Sequence, residues 1–329
     1  MTASKDSPPA STGLSRVVAA TAGLAAAGAG LAIASTLLGR DAERKAPADG
    51  HFIDVEGTSL HFVDRGSGPP IVMVHGLGGQ LRNFTHSLSA LLERDHRVIA
   101  VDRPRSGYSA SKAGTEPNIR DQGRLVAGFV EKLGLEKPLL VGHSLGGAVA
   151  LAAALAAPGR LGGLVLLAPL TLSLDQAPEA LRTLQRDSAL GRAAMARLFG
   201  VPFGRLGRPL HERAIFYPDE PPADFGTRGG GLLALRPGNL KAAMFEVAAA
   251  RDDMEALVPF YPELKLPVSI LFAREDNLLD PDLHGRRTAR AIPGAVFEEI
   301  EGGHMLPVTH PDACARVIRT AYARALTRR

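Results

Sequence analysis

A chain of 329 residues, 45% hydrophobic and 22% charged, has enough apolar content to build one large α/β domain with an insertion and is too hydrophobic to be disordered. A net charge of +4 and 5% aromatic residues give no basic groove interleaved with rings, which argues against a nucleic-acid partner. Cys314 is the single cysteine, so no intrachain disulfide and no cysteine-based metal cluster can form, and the residues imply no cofactor or metal.

Residues 1–16 are polar and contain Pro and Ser, which reads as a flexible start. Val17 to Leu38 then carries no charge. At about 1.5 Å per helical residue it spans roughly 33 Å, the thickness of a bilayer's hydrocarbon core. The first reading is therefore a single membrane anchor, with the membrane as a partner. Ala and Gly dominate the run, and Ala32-Ile33-Ala34 is a small-x-small site, so a cleaved signal segment with a secreted or periplasmic product is the alternative, and a soluble helix the third. Gly23, Gly28 and Gly30 would allow two such helices to approach closely. Basic residues flank both ends, and the side of the membrane that the remaining chain faces does not follow. Residues 39–50, ending in Ala46-Pro-Ala-Asp-Gly50, read as a linker.

From residue 51 the chain alternates strands and helices. His51 to Glu56 and Ser59 to Asp64 flank Gly57-Thr58 as a hairpin. Ile71 to Val74 is a continuous apolar run of the kind buried on both faces of a parallel sheet, and it ends in His75-Gly76-Leu77-Gly78-Gly79, a turn whose backbone N–H groups can face a site. A helix is expected over Leu81 to Leu92, a strand over Val98 to Val101 ending at Asp102-Arg-Pro-Arg-Ser-Gly-Tyr-Ser109, and an amphipathic helix over Asn118 to Leu133. Leu139 to Val141 leads into Gly142-His143-Ser144-Leu145-Gly146, and a helix follows over Ala148 to Ala157. A strand, this tight G-x-S-x-G turn and a helix form a nucleophile elbow: the turn strains Ser144, lifts its hydroxyl above the sheet edge and aims the Leu145 N–H and the helix N-terminus at a developing oxyanion. Leu164 to Ala168 is the next strand. Residues 171–262 break the rhythm with helical stretches, Gly and Pro and no clear buried strand, as expected of a helical cap over the strand ends. Val268 to Ala273 resumes the sheet and ends at Arg274-Glu275-Asp276; a helix over Pro281 to Ala291, a strand over Ala295 to Ile300, Gly303-His304 and a helix over Pro311 to Thr327 close the chain.

A serine hydroxyl is a weak nucleophile until an imidazole takes its proton, and that imidazole needs a carboxylate to fix its tautomer. Only loops at the carboxyl ends of the same sheet's strands can meet above Ser144, and Asp276 and His304 lie on such loops. The order Ser, Asp, His, with the His75-Gly76 turn and the Asp102-Arg-Pro loop, resembles the α/β-hydrolase superfamily, especially esterase-like members with a helical cap, over about residues 51–329. The resemblance implies a mostly parallel, doubly wound sheet, Ser144 as nucleophile, His304 as general base and acid, Asp276 as orienting acid, and the N–H groups of Leu77 and Leu145 as the oxyanion hole. It implies hydrolysis of an ester or related bond in a small acyl substrate; a carbon–carbon bond hydrolase, lactonase, thioesterase or perhydrolase uses the same groups. A non-catalytic, membrane-tethered binding module is the reading of another class. Asp175, Asp280 and Asp282 are rivals for the acid, and His143 and His310 are histidines expected to be structural. Related sequences often carry Gly where Arg105 stands, so this loop is expected to differ in shape, with a charge near the pocket mouth.

Overall fold

The computed structural model describes residues 11–112, 114–174, 176–186 and 188–326. Eight strands form one sheet in the order β1-β2-β4-β3-β5-β6-β7-β8. They are β1 (His51–Val55), β2 (Thr58–Arg65), β3 (Pro70–Val74), β4 (Arg97–Val101), β5 (Leu139–His143), β6 (Gly163–Leu167), β7 (Val268–Ala273) and β8 (Val296–Ile300). The pairs β1–β2 and β2–β4 are antiparallel, and every pairing from β4 onward is parallel. Strands β5, β6 and β7 are buried along their whole length, as an unbroken apolar run requires when helices cover both faces. At the open edge β8 is half-buried and carries Glu298 and Glu299, charges that discourage pairing with another chain's strand. The β1–β2 turn places Glu56 and Gly57 both at positive φ, 54° and 82°, the geometry of a two-residue hairpin whose twist matches its strands.

The helices are α1 (Ser11–Lys45), α2 (Arg82–Thr85), α3 (Leu88–Leu92), α4 (Ile119–Lys132), α5 (Leu145–Ala156), α6 (Ala189–Ala194), α7 (Val201–Phe216), α8 (Gly231–Ala234), α9 (Pro237–Leu257), α10 (Thr288–Ala291), α11 (Leu306–Thr309) and α12 (Pro311–Leu326). The single helix expected over Leu81 to Leu92 is two. His86 bonds the Ser87 hydroxyl at 2.7 Å and Asp224 at 2.9 Å, and Ser87 leaves the helical region at φ −140°, so a serine that favours a cap interrupts the run. Between β6 and β7 no strand occurs among the described residues; the segment holds α6 to α9 and short 3₁₀ and π turns.

The amino-terminal helix departs from expectation at both ends. It begins at Ser11, within the stretch read as flexible, and it continues to Lys45, through most of the stretch read as a linker. The extension is held by packing. Leu38 lies against Ala196, Val201, Leu240 and Met244, the Ser35 hydroxyl donates to the Arg197 carbonyl at 2.6 Å, and Arg205 reaches Asp41 at 2.7 Å. Ala42 and Ala46 pack on Leu232 and Leu233, and the Tyr108 hydroxyl donates to the Ala46 carbonyl at 2.7 Å. Nearer its start α1 stands clear of the rest of the protein: Val17, Val18 and Leu24 are exposed.

Candidate active site

Ser144 sits between β5 and α5 with φ 54° and ψ −123°, a combination that a residue with a side chain adopts only when its surroundings enforce it. Three backbone hydrogen bonds enforce it here: the Ser144 N–H donates to the Leu167 carbonyl at 3.0 Å, and the Ser144 carbonyl accepts from Gly147 at 2.8 Å and Leu170 at 2.9 Å. Gly76 leaves room for the serine, because a β-carbon there would lie 2.8 Å from Ser144 Cβ. Leu145 opens α5, and the first N–H groups of a helix have no partner within it. Leu77, in the turn after β3, shares with Ser144 the walls of both adjoining cavities.

Asp276 follows β7 and His304 follows β8, both at carboxyl ends of parallel strands, as Ser144 is. His304 Nδ1 lies 2.7 Å from Asp276 Oδ2, and both groups are buried. An ionised carboxylate only accepts, so Nδ1 carries the proton and Nε2 is left as a base. Asp276 Oδ1 accepts from the N–H groups of Leu278 at 2.9 Å and Leu279 at 3.0 Å. Burial works to raise the Asp276 carboxyl, but the His304 imidazole and these two amides outweigh it and hold the group below its ordinary value. His304 and Ser144 line the same two cavities, and among the described residues no hydrogen bond joins the Ser144 hydroxyl to the imidazole. Such bonds commonly tighten only when substrate is bound.

The rival acids are engaged elsewhere. Asp280 caps the turn that follows it, accepting from the N–H groups of Asp282 and Leu283, and the exposed Asp282 pairs with Arg286 at 2.8 Å. Asp175 lies outside the described residues. His310 bonds the Thr309 hydroxyl at 2.9 Å. His143 donates from Nε2 to the His304 carbonyl at 2.9 Å and steadies the loop that carries that residue; burial pushes its imidazole down to about 3, so it stays neutral. Arg105 adopts φ 65°, the left-handed conformation that glycine takes without strain. Its guanidinium pairs with Glu116 at 3.0 Å, and Arg105 lines a surface groove beside α1 instead of the cavities at Ser144.

The charge that matters in this loop is its neighbour Arg103, which sequence reasoning passed over. Arg103 is fully buried and donates to the carbonyls of His75 and Gly76, both at 2.8 Å, to Gln122 at 2.7 Å and to both carboxylate oxygens of Glu246 on α9. It thereby ties the turn that holds Leu77 to a helix of the inserted segment. A lone carboxylate among Ala242 to Ala250, with an arginine directly after the buried Asp102, was the available signal. Glu246→Ala should leave the guanidinium buried without its counter-charge and cost about 3–5 kcal/mol, read as a lower urea midpoint, whereas replacing Arg103 and Glu246 together by Met and Leu should recover most of that loss.

Two cavities meet at Ser144. The larger, about 440 Å³, is lined by Leu184, Met195, Phe199, Phe203, Leu240 and Met244 among others, mostly apolar side chains of the inserted helices. The smaller, about 190 Å³, runs between Leu145, Leu170 and Met254. No group of three or more metal-ligating side chains occurs among the described residues.

An eight-stranded sheet with this strand order, carrying a strained serine between a strand and a helix and a histidine–carboxylate pair on later strand ends, is the architecture of a hydrolase. The family model of the alpha/beta hydrolase fold matches residues 69–311, and the chain belongs to that family. It is 33% identical over 248 residues to a 2-hydroxy-6-oxo-6-phenylhexa-2,4-dienoate hydrolase of Comamonas testosteroni, covering 74% of this chain and 83% of that protein. It is 26% identical over 278 residues to haloalkane dehalogenase 2 of Mycobacterium tuberculosis, covering 83% of this chain and 94% of that one. Among solved structures a membrane phospholipase A, described as a bacterial virulence factor, superposes with a TM-score of 0.65 at 20% identity, over 95% of this chain and 97% of the other, which shows a shared fold.

Proposed function

We propose that this protein is a serine hydrolase that cleaves carboxylic esters of apolar acyl groups through an acyl-enzyme formed on Ser144, and that α1 anchors it in a membrane. The observation that carries the reading is the buried 2.7 Å contact between His304 and Asp276 on the wall of the cavity that the strained Ser144 also lines. In this mechanism the Ser144 hydroxyl attacks the ester carbonyl while His304 Nε2 takes its proton, and the Leu77 and Leu145 N–H groups bind the oxyanion. His304 returns the proton to the departing alkoxide, and water activated by the same imidazole releases the acid. Asp276 keeps the imidazole in the required tautomer and balances its charge. The inserted helices act as a cap whose larger cavity receives the acyl chain. Serine at the nucleophile position disfavours dehalogenation, which passes through an alkyl ester on a carboxylate. Cleavage of a carbon–carbon bond on the same residues is the second reading, favoured by the 33% identity to the Comamonas enzyme.

A panel of p-nitrophenyl esters tests the assignment. Each methylene buried in the larger cavity contributes about 0.8 kcal/mol, so kcat/KM should rise up to about fourfold per added methylene until the cavity is filled. Covalent labelling by a fluorophosphonate should occur in the wild type and vanish in Ser144→Ala. A protein that takes up no label and hydrolyses no ester of the panel is not a serine esterase.

A further inference from the structure

The membrane anchor and the catalytic cavity are brought to the same level by the way α1 docks. Its uncharged run ends at Leu38, and the first charges beyond it are Arg40 and Asp41. A run of this length matches the hydrocarbon core, so the bilayer boundary falls near Leu38. At that level α1 touches the cap: Ser35 bonds the Arg197 carbonyl at 2.6 Å, Leu38 packs on Ala196 and Val201, and one turn on Asp41 meets Arg205 at 2.7 Å. Cap residues from about 196 to 203 are therefore held at the height of the interface. Two of them are large rings turned outward: Phe199 is 46% and Phe203 59% exposed, and the rings stack at 6.4 Å between centroids with 18° between planes. Both also line the cavity of about 440 Å³ that reaches Ser144. Leu206 and Leu210 continue the same exposed face of α7 at 79% and 77%, spaced three and seven residues beyond Phe203 as a helical stripe requires. A contiguous exposed apolar strip of this kind marks a binding surface, and aromatic rings are favoured at the headgroup level.

We propose that the exposed Phe199–Phe203 face of the cap rests in the lipid interface and opens the catalytic cavity toward the bilayer, so that acyl chains of membrane lipids enter from the membrane. The partner is a lipid surface. The proposal rests on the reading of α1 as an inserted anchor, and the two can be tested separately.

The chain contains no tryptophan, so a single introduced indole reports on its own position. Full-length Phe203→Trp, Leu24→Trp and Phe52→Trp are reconstituted in phosphatidylcholine vesicles with acyl chains brominated near the headgroup or deep in the bilayer. Phe52 is a control outside the cap, 55% exposed on the edge strand β1 and fourteen residues beyond Leu38. Leu24→Trp should shift to the blue and be quenched most by deep bromines. Phe203→Trp should shift to the blue and be quenched most by shallow ones, and Phe52→Trp should not respond. Phe199→Trp gives an independent reading should Phe203→Trp fold poorly. Quenching of Leu24→Trp with no response at either cap position overturns the cap proposal and leaves the anchor standing. No quenching of Leu24→Trp overturns both. A blue shift at the cap without bromine quenching means that a second copy of the chain covers the face, which also overturns the proposal.

Discussion

Ser144→Ala is expected to lower ester turnover by roughly 10⁵- to 10⁶-fold while the fold survives. In the proposed mechanism the loss is large because the side chain makes the covalent bond; with it gone, His304 and Asp276 would have nothing to activate, and only substrate binding and the oxyanion N–H groups would still assist water. The fold should survive because the strain at this position is held by backbone hydrogen bonds to the Leu167 carbonyl and from the Gly147 and Leu170 N–H groups, none of which needs the hydroxyl. Alanine keeps the same strained backbone and loses only the hydroxyl, so thermal stability should be nearly unchanged. Turnover is measured with a p-nitrophenyl ester and stability by thermal unfolding of the same preparation. A variant that keeps a tenth of the wild-type rate would remove Ser144 from the mechanism. Asp276→Asn tests the next link: with the carboxylate gone the imidazole adopts the wrong tautomer, and turnover should fall by about 10⁴ with little change in KM.

How much of this was legible in the sequence depends on whether local patterns or tertiary contacts decide a feature. The strands Ile71 to Val74, Leu139 to Val141, Leu164 to Leu167 and Val268 to Ala273 announce themselves as apolar runs, broken only by Ser269, because burial on both faces leaves little room for polar residues. The placement of Ser144, Asp276 and His304 was legible for a related reason: each follows a strand end, and a parallel sheet gathers those ends on one rim. The continuation of α1 to Lys45 was not, since Ala42 and Ala46 acquire partners only when Leu232 and Leu233 fold against them. Arg103 was missed because burial of an arginine follows from a carboxylate far along the chain, Glu246, which no local pattern pairs with it. In the same loop Arg105, which stands where related sequences often carry Gly, lines a surface groove, whereas Arg103 ties the turn after β3 to α9.

Acidification is expected to unfold the protein steeply, because burial holds three imidazoles neutral. His143 donates from Nε2 to the His304 carbonyl while its Nδ1 is buried with no hydrogen-bond partner among the described residues, so a second proton would sit unsatisfied beside another imidazole; burial holds the group down at about 3. His284 Nδ1 accepts from the N–H groups of Thr171 and Leu172 at 3.2 and 3.3 Å, contacts that protonation would destroy, and burial holds it at about 4. His75 accepts from the Arg103 N–H at Nε2 and donates from Nδ1 to the Gly76 carbonyl, and burial and the Arg103 guanidinium keep it well below its ordinary range. In the unfolded chain all three bind protons near pH 6.5, so below that pH these three groups together hold about three protons more in the unfolded state than in the folded one. Each proton contributes about 1.4 kcal/mol per pH unit, and stability should fall by about 4 kcal/mol per unit between roughly pH 6 and 4.5. That loss is comparable with the whole stability of an ordinary domain. Urea unfolding at pH 7.5, 6.0 and 5.0 measures the slope, and His143→Gln, which keeps a donor for the His304 carbonyl and has no proton to gain, should reduce it by about a third. A stability that is flat over this interval would show that these imidazoles take up protons within the native fold.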